Sequence, residues 1–533
     1  MMPDISKRSH KTLRILRKML MPRTFFLMIA LLGQMIILTG VISRFNQYFA
    51  QFYAFSLFLS LVVFLWVMNS QINPAYKIAW IIPILLFPIF GGLFYLFLGR
   101  SRMSRKVSQR MKAYEMATMK ALMRQRSKSE DYLRQIEDSR QDAAIQARYI
   151  NHYAGYPLYP EQYNQYLDAG EVKFEKLLEE LEKAERYIFM EYFIIEEGLM
   201  WNRILEILKK KADAGVDVRL IYDDVGCLFT LPHGYDKKME EMGIKCCIFN
   251  PLVPVLSLRQ NNRDHRKITV IDGTVAFTGG INLADEYINK IEKFGHWKDT
   301  AILMKGESVW SFTVMFLSMW DYLRDVSENF EQFKPRQIPS KDQSREKETT
   351  SKGYIQPFAD SPLDQEPVSE TVYLNLIYRA QKYVYITTPY LILANEMVTA
   401  LCAAAKGGVD VRIITPHKWD KRLVHAVTRT FYKALIQSGV KIYEYTPGFM
   451  HSKTFVVDDH YAVVGTINMD YRSLYLHFEC GVWMFDTECI AEMKNDFTET
   501  LKVCQRVTME EYRERKWYKV LTGSILRIFA PML

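Results

Sequence analysis

Cysteine is sparse and unpatterned in this chain. The seven cysteines, at positions 227, 246, 247, 402, 480, 489 and 504, are odd in number, repeat no spacing and form no CxxC. This argues against a disulfide framework and a cysteine zinc site, and leaves small buried thiols in a reducing compartment. No cleavable leader is expected either. The apolar run at residues 25–42 is followed by Ser43-Arg44-Phe45-Asn46 rather than a small-residue cleavage site, so the run is read as retained. Glycine and proline are absent from residues 101–149, which are charged and rich in Ala, Met and Gln. That stretch reads as a solvated connecting helix whose basic start suits anionic headgroups.

What is present begins with a basic end. Lys7, Arg8, Lys11, Arg14, Arg17, Lys18 and Arg23 stand against Asp4 alone. Three apolar runs follow, at residues 25–42, 49–68 and 78–98, the last holding Pro83, Pro88, Gly91 and Gly92. Eighteen residues at ~1.5 Å each cover most of a ~30 Å hydrocarbon layer, so residues 1–100 read as a membrane anchor of two to three segments. Arg100, Arg102, Arg105, Lys106, Arg110 and Lys112 then restore positive charge. Basic flanks at both ends favour cytosolic ends and an even number of crossings, with the third run re-entrant or the first interfacial. The catalytic part is expected in the cytosol. The net charge of +9 favours an anionic partner, with phospholipid headgroups and nucleic acid both fitting.

The remainder repeats itself. AERYIFMEYFII matches AQKYVYITTPYLIL, AGVDVRLIYDD matches GGVDVRIITP, and GIKCCIF matches GVKIYEY, at offsets of 196, 193 and 196 residues. Such a small drift marks a duplication. Strands alternate with helices in each copy, which implies α/β domains with a parallel or mixed sheet. The expected organisation is a helical linker at 101–150, a first domain at 151–334, a polar linker at 335–352 and a second domain at 353–515. Residues 516–533 read either as an amphipathic helix on a bilayer or as a terminal helix packed on the domain.

Each copy carries one polar box. HRKITVIDGTVAFTGGIN supplies His265, Lys267, Asp272, Gly280 and Asn282; HSKTFVVDDHYAVVGTINMDYRSLYLHFE supplies His451, Lys453, Asp458, Thr466, Asn468, Ser473 and Glu479. One His-x-Lys-x4-Asp match is expected at roughly a few hundredths per chain, so two within a duplicated unit are not coincidence. Residues two apart on a strand share a face, so each histidine sits beside its lysine. Asp272 and Asp458 have the opposite parity and lie in turns, which they are expected to fix rather than touch substrate. Two such faces make a cationic pocket for a phosphodiester. One histidine attacks phosphorus and the other acts as acid and base, while the lysines and the support residues Asn282, Asn468, Gly280 and Thr466 hold the phosphate. Ser473 either bonds a phosphate or caps a helix. Asp299 and Glu479 follow His265 and His451 by 34 and 28 residues and are nominated to orient them. His233, His296, His417, His460 and His477 read as surface or core histidines. No metal-binding carboxylate cluster stands out, so no metal or other cofactor is expected.

The doubled HxKxxxxD boxes with GGxN and GTxN resemble the phospholipase D superfamily. The segment NPAYKIAWIIPILLFPIFGGLFYLFLGR, the phrase TGGINLADEY and the ending NMDYRSLYLHFE resemble the bacterial cardiolipin synthases. The resemblance covers nearly all of the chain after about residue 50. It implies two duplicated phospholipase D-like domains, each a mixed sheet flanked by helices, after an N-terminal transmembrane region of a bacterial cell membrane. It also implies His265, Lys267, Asp272, His451, Lys453 and Asp458 as catalytic residues, with His265 the nucleophile and His451 the acid and base. The implied reaction moves a phosphatidyl group between two phosphatidylglycerols and releases glycerol; the implied partners are anionic phospholipids and the membrane, not nucleic acid. Two features depart from the family: the additional run at 25–42, and HFE where NFE is common. A hydrolytic phospholipase D or phosphodiesterase, and a non-catalytic lipid-binding protein, remain the alternative readings.

Overall fold

The computed structural model describes residues 49–70, 72–87, 91–96, 105–253, 258–335, 353–364, 366–514 and 517–532, with a few positions between 32 and 43. Most of the apolar run at 25–42 and nearly all of the 335–352 linker lie outside the described residues. The chain divides into two compact units, one formed by residues 1–102 with 231–235 and 250–261, the other by the rest.

In the first unit a charge-free helix, Phe49–Asn69, precedes a second, Pro74–Leu86, whose start is capped by the Asn73 side chain accepting from the Ala75 amide at 2.9 Å. Proline at the first position suits a helix start, and Pro83 lies one turn before the end. The third apolar run is therefore broken, with Gly91–Phe94 forming a separate helical turn. A side chain at Gly92 would meet Ser60 Oγ at 2.7 Å, so the glycine permits close approach. Phe55, Phe58, Leu61, Leu85 and Leu86 are exposed. Among the described residues no helix is long and apolar enough to cross a membrane.

In the second unit each copy builds one mixed sheet. The first runs in the order Tyr163–Leu167, Ala301–Lys305, Val275–Gly279, Lys267–Ile271, Tyr187–Tyr192, Asp217–Asp223, Lys245–Phe249. Its last three strands are parallel and the box strands antiparallel. The second copy repeats the pattern, with Tyr461–Gly465, Thr454–Val457, Tyr383–Thr387, Asp410–Pro416 and Lys441–Tyr445 adjacent in that order. Val, Ile and Phe supply the buried faces, as fits strands covered on both sides.

Two short pairings join the copies and decide the site. Arg263–Asp264, just before the first box, lies parallel to the start of His477–Phe485, with His477 opposite Arg263. Gly448–Met450, just before the second box, lies parallel to His296–Lys298, with Trp297 opposite Phe449.

The helix Val309–Arg324 is buried from Val309 through Asp321, which explains its apolar residues on every side. Phe316 stacks on Phe189 at 4.7 Å. The Gly- and Pro-free stretch forms the helices Arg105–Ser139 and Gln141–His152. It is not the solvated connector its charge suggests: Met111, Tyr114, Leu122, Leu133 and Ile136 are buried, and Thr118 bonds Ser318 at 2.8 Å. The charges occupy one side and the apolar stripe the other. All seven cysteines are free and five are buried.

The C-terminal helix Trp517–Ile528 packs through Gly523 against Thr430 and through Arg527, 4.3 Å from the Phe431 ring centre. Trp517, Tyr518, Leu521, Ile525 and Ile528 remain exposed along it.

Candidate active site

Each box histidine stands just before an antiparallel strand, its main chain held by the other copy. The His265 amide donates to the Phe478 carbonyl at 3.0 Å, and the His451 amide to the Lys298 carbonyl at 2.7 Å. Lys267 and Lys453 fall on the same side as their histidines and donate to the His265 and His451 carbonyls. Lys453 Nζ also lies 3.0 Å from His451 Nδ1. All four side chains are buried.

Both nominated carboxylates meet a box histidine, but the pairing is crossed. His265 Nδ1 lies 2.9 Å from Oε1 and 3.1 Å from Oε2 of Glu479. His451 Nδ1 lies 2.6 Å from Asp299 Oδ2. The expected matches, Asp299 with His265 and Glu479 with His451, are thus corrected. The cause is the strand pairing between copies, which brings His265 alongside Phe478 and His451 alongside Lys298, each one residue from the carboxylate.

Five other box residues do not line the cavity. Asp272 accepts the amides of Glu185, Arg186 and Tyr187, each at 2.8 Å; Asp458 accepts those of Gln381, Lys382 and Tyr383 at 2.6, 2.8 and 2.8 Å. Both sit at positive φ in the turn, so they pin the start of a neighbouring strand, as their parity suggested, and are not at the cavity as catalytic groups. Thr466 does not face the cavity; its hydroxyl donates to Glu479 and the Cys480 carbonyl. Gly280 makes room: a side-chain carbon there would collide with the Asp299 carboxylate. Ser473 lies in the first turn of a short helix, where its amide is capped by Asp470 at 2.8 Å.

A cavity of about 610 Å³ is lined by His265, His451, Asn282 and Asn468, with Lys267 and Lys453 buried behind its wall. Asn282 is held by the Ile194 amide at 3.0 Å and donates to the Tyr287 hydroxyl at 2.8 Å. Asn468 Oδ1 is buried without a hydrogen-bond partner, so one polar atom of the cavity awaits a donor. Residues not nominated for the site from the sequence complete the wall, among them His477, Arg472, Lys421, Tyr287 and Trp297. Trp297 and His477 each precede an orienting carboxylate by two residues, and that spacing was the available signal.

Burial governs the charges. It pushes His451 down to about 4, helped by Lys453 and opposed by Asp299. It also takes His265 well below its ordinary value, with Lys267 and His477 adding to the effect. Lys267 falls to about 7 and Lys453 to about 8, again through burial, and Glu479 rises to about 8 against the pull of Lys267. Burial thus favours neutral imidazoles and lowers the lysines toward neutrality, and an anion beside them would favour their charged forms. Donor atoms of His265, His477 and Glu479 lie within 4.8 Å of one another, as a metal would need. The lysines beside them oppose a cation and suit a phosphate.

Residues 177–320 and 373–501 match the family described as cardiolipin synthase, PLD-like domain, and residues 58–100 match the phospholipase D-nuclease N-terminal family. An uncharacterized protein of Streptococcus mutans is 45% identical over 88% of this chain and 99% of its own length. The cardiolipin synthase of Halalkalibacterium halodurans is 31% identical, covering 89% of this chain and 92% of that one. That of Geobacillus thermodenitrificans is 34% identical, covering 86% and 89%. The solved phosphatidylserine synthase of Haemophilus influenzae shares the fold, with a TM-score of 0.54 at 16% identity, over 73% of this chain and 97% of that one.

Proposed function

This chain belongs to the cardiolipin synthase family of phospholipase D-like proteins, and we propose that it makes cardiolipin from two phosphatidylglycerols through a phosphohistidine. The observation that carries this reading is the pair of crossed histidine–carboxylate couples facing one cavity. With Nδ1 held by a carboxylate, each histidine turns Nε2 to the substrate.

His265 Nε2 attacks phosphorus, the bond to the glycerol oxygen breaks, and that oxygen leaves with a proton from His451. His451, neutral again, takes the proton of the second lipid's hydroxyl as its oxygen attacks phosphorus. The phosphorus–nitrogen bond breaks and His265 is regenerated. Asp299 steadies the imidazolium of His451, and the anionic phosphodiester brings the charge that lets His451 hold a proton in a site where burial otherwise removes it. Lys267 and Lys453 supply positive field for the non-bridging oxygens from behind the wall.

The enzyme works at a cell membrane. Exposed apolar side chains on Phe49–Asn69 and Pro74–Leu86 support an anchor in the lipid, and the exposed Trp517, Tyr518, Leu521 and Ile525 support a C-terminal helix resting on the bilayer surface. The unpaired cysteines and the basic residues after position 99 support catalytic halves on the cytosolic side.

Incubating the full chain with pure phosphatidylglycerol and a chelator, then identifying products, tests the proposal. Cardiolipin and glycerol in equal amounts are expected. Phosphatidic acid alone would make it a hydrolase, and no turnover a binding protein.

A further inference from the structure

The two histidines have different walls. Trp297 and His477 hold equivalent places, two residues before an orienting carboxylate and opposite the strand that leads into the other copy's box. On the His451 side this place is aromatic: the Trp297 ring lies 5.3 Å from His451 and 4.9 Å from Phe449, with Tyr287 5.6 Å from His451. On the His265 side it is polar. The ring of His477 lies 5.6 Å from that of His265, and Arg472 and Lys421 join it on the cavity wall.

His477 is 9% exposed and neither ring nitrogen has a hydrogen-bond partner; the Glu479 carboxylate is 3.9 Å away. A buried imidazole without a partner costs free energy that a ligand can restore. Burial, then Arg472 and Lys421, hold it well below the ordinary histidine range, so it offers one N–H and one lone pair, a match for an alcohol or a phosphate oxygen. Lys421 is exposed, its ammonium 5.3 Å from the Tyr390 ring centre. Two carboxylates share this wall: Asp470, which caps the Ser473 amide, and Asp420, bonded by the Tyr390 hydroxyl at 2.5 Å. A further cation on the cavity wall, Arg263, is bonded to Asp223 at 2.9 Å.

We infer that His477, Arg472 and Lys421 form a subsite for the accepting lipid's headgroup, an anionic phosphodiester bearing free hydroxyls. The inference rests on the transferase reading. The accepting lipid keeps its own phosphate throughout the reaction, and that phosphate needs cations other than the two box lysines, which serve the reacting phosphorus. Arg472 and Lys421 take it, while His477 and the nearby carboxylates hold the glycerol hydroxyls. A cavity of about 610 Å³ exceeds the needs of one phosphodiester.

The test is a competition between two acceptors on phosphatidylglycerol vesicles containing ethanol. Ethanol has neither a phosphate nor a second hydroxyl, so it does not use the subsite. Lys421→Gln, at an exposed position, and His477→Phe, which copies the aromatic wall, should each lower the ratio of cardiolipin to phosphatidylethanol roughly tenfold, the loss of about one charged or buried hydrogen bond. An unchanged ratio, with both products falling together, would overturn the subsite and assign the cations to the donor lipid. Wild-type protein that yields phosphatidylethanol and phosphatidic acid but no cardiolipin would instead overturn the transferase reading.

Discussion

The two copies share a skeleton and differ in what fills it. In the first, Arg266 follows the histidine and is fully buried between Asp264, at 3.1 Å, and Glu191, at 2.5 Å. In the second, Ser452 holds the equivalent place and joins a neutral chain, 2.9 Å from both Thr300 and Thr387. One histidine thus rests on a buried ionic cluster and the other on hydroxyls. The support of the carboxylates differs as well: Glu479 is held by the Thr466 hydroxyl, while Asp299 fits only because Gly280 has no side chain. Both copies therefore keep a carboxylate-bonded imidazole beside a lysine, while the surroundings differ. A symmetric skeleton with asymmetric walls suits a reaction whose two histidines have different tasks.

The largest effects should come from the histidines. His265→Ala and His451→Ala are each expected to cut cardiolipin formation by about 10⁴-fold or more, measured as initial rate on vesicles. Equal residual activity in both would leave the halves interchangeable in rate, whereas only one should retain phosphoenzyme. Next come the carboxylate supports. Gly280→Ala displaces Asp299 and should lower turnover about 10²-fold, whereas Thr466→Val removes one hydroxyl from Glu479 and should cost about tenfold. The reverse ranking would mean that Glu479 depends on its support more than Asp299 does.

Acid should destabilise the fold through its neutral histidines. The folded protein holds His451 near 4, against an ordinary value of 6.5, so the unfolded chain binds a proton that the folded chain refuses. Stability is then complete above about pH 6.5 and falls as pH drops toward 4, by roughly 3 kcal/mol for this group. Denaturant titrations at several pH values check this, and His451→Gln should flatten part of the slope. The smallest effect concerns the surface: Leu521→Gln with Ile525→Gln should reduce turnover a few-fold on vesicles and leave it unchanged in detergent micelles.

The residues proposed to react were legible because their spacing is local and doubled. His265 with Lys267 and His451 with Lys453 need only the two-residue period of a strand, and the turn role of Asp272 and Asp458 followed from the same parity. The crossed pairing was not legible. It depends on short parallel contacts between residues some 150 to 215 positions apart, such as His451 with Asp299 and His265 with Glu479, and no local pattern encodes that choice. His477 and Trp297 carry a local signal, two residues before a carboxylate, but their meaning comes from the histidine of the other copy. The helix Arg105–Ser139 misled through composition: its charges face away from an apolar stripe that packs on the domain core.

The crossed pairing can be read from the yield of phosphoenzyme. Labelled phosphatidylglycerol is mixed with Asp299→Asn, Glu479→Gln, His265→Ala and His451→Ala proteins, then quenched in alkali, where phosphohistidine survives. Asp299→Asn should behave as a weaker His451→Ala, and Glu479→Gln as a weaker His265→Ala, whichever histidine is the nucleophile. If Asp299→Asn instead matches His265→Ala, each copy orients its own histidine and the pairing is not crossed.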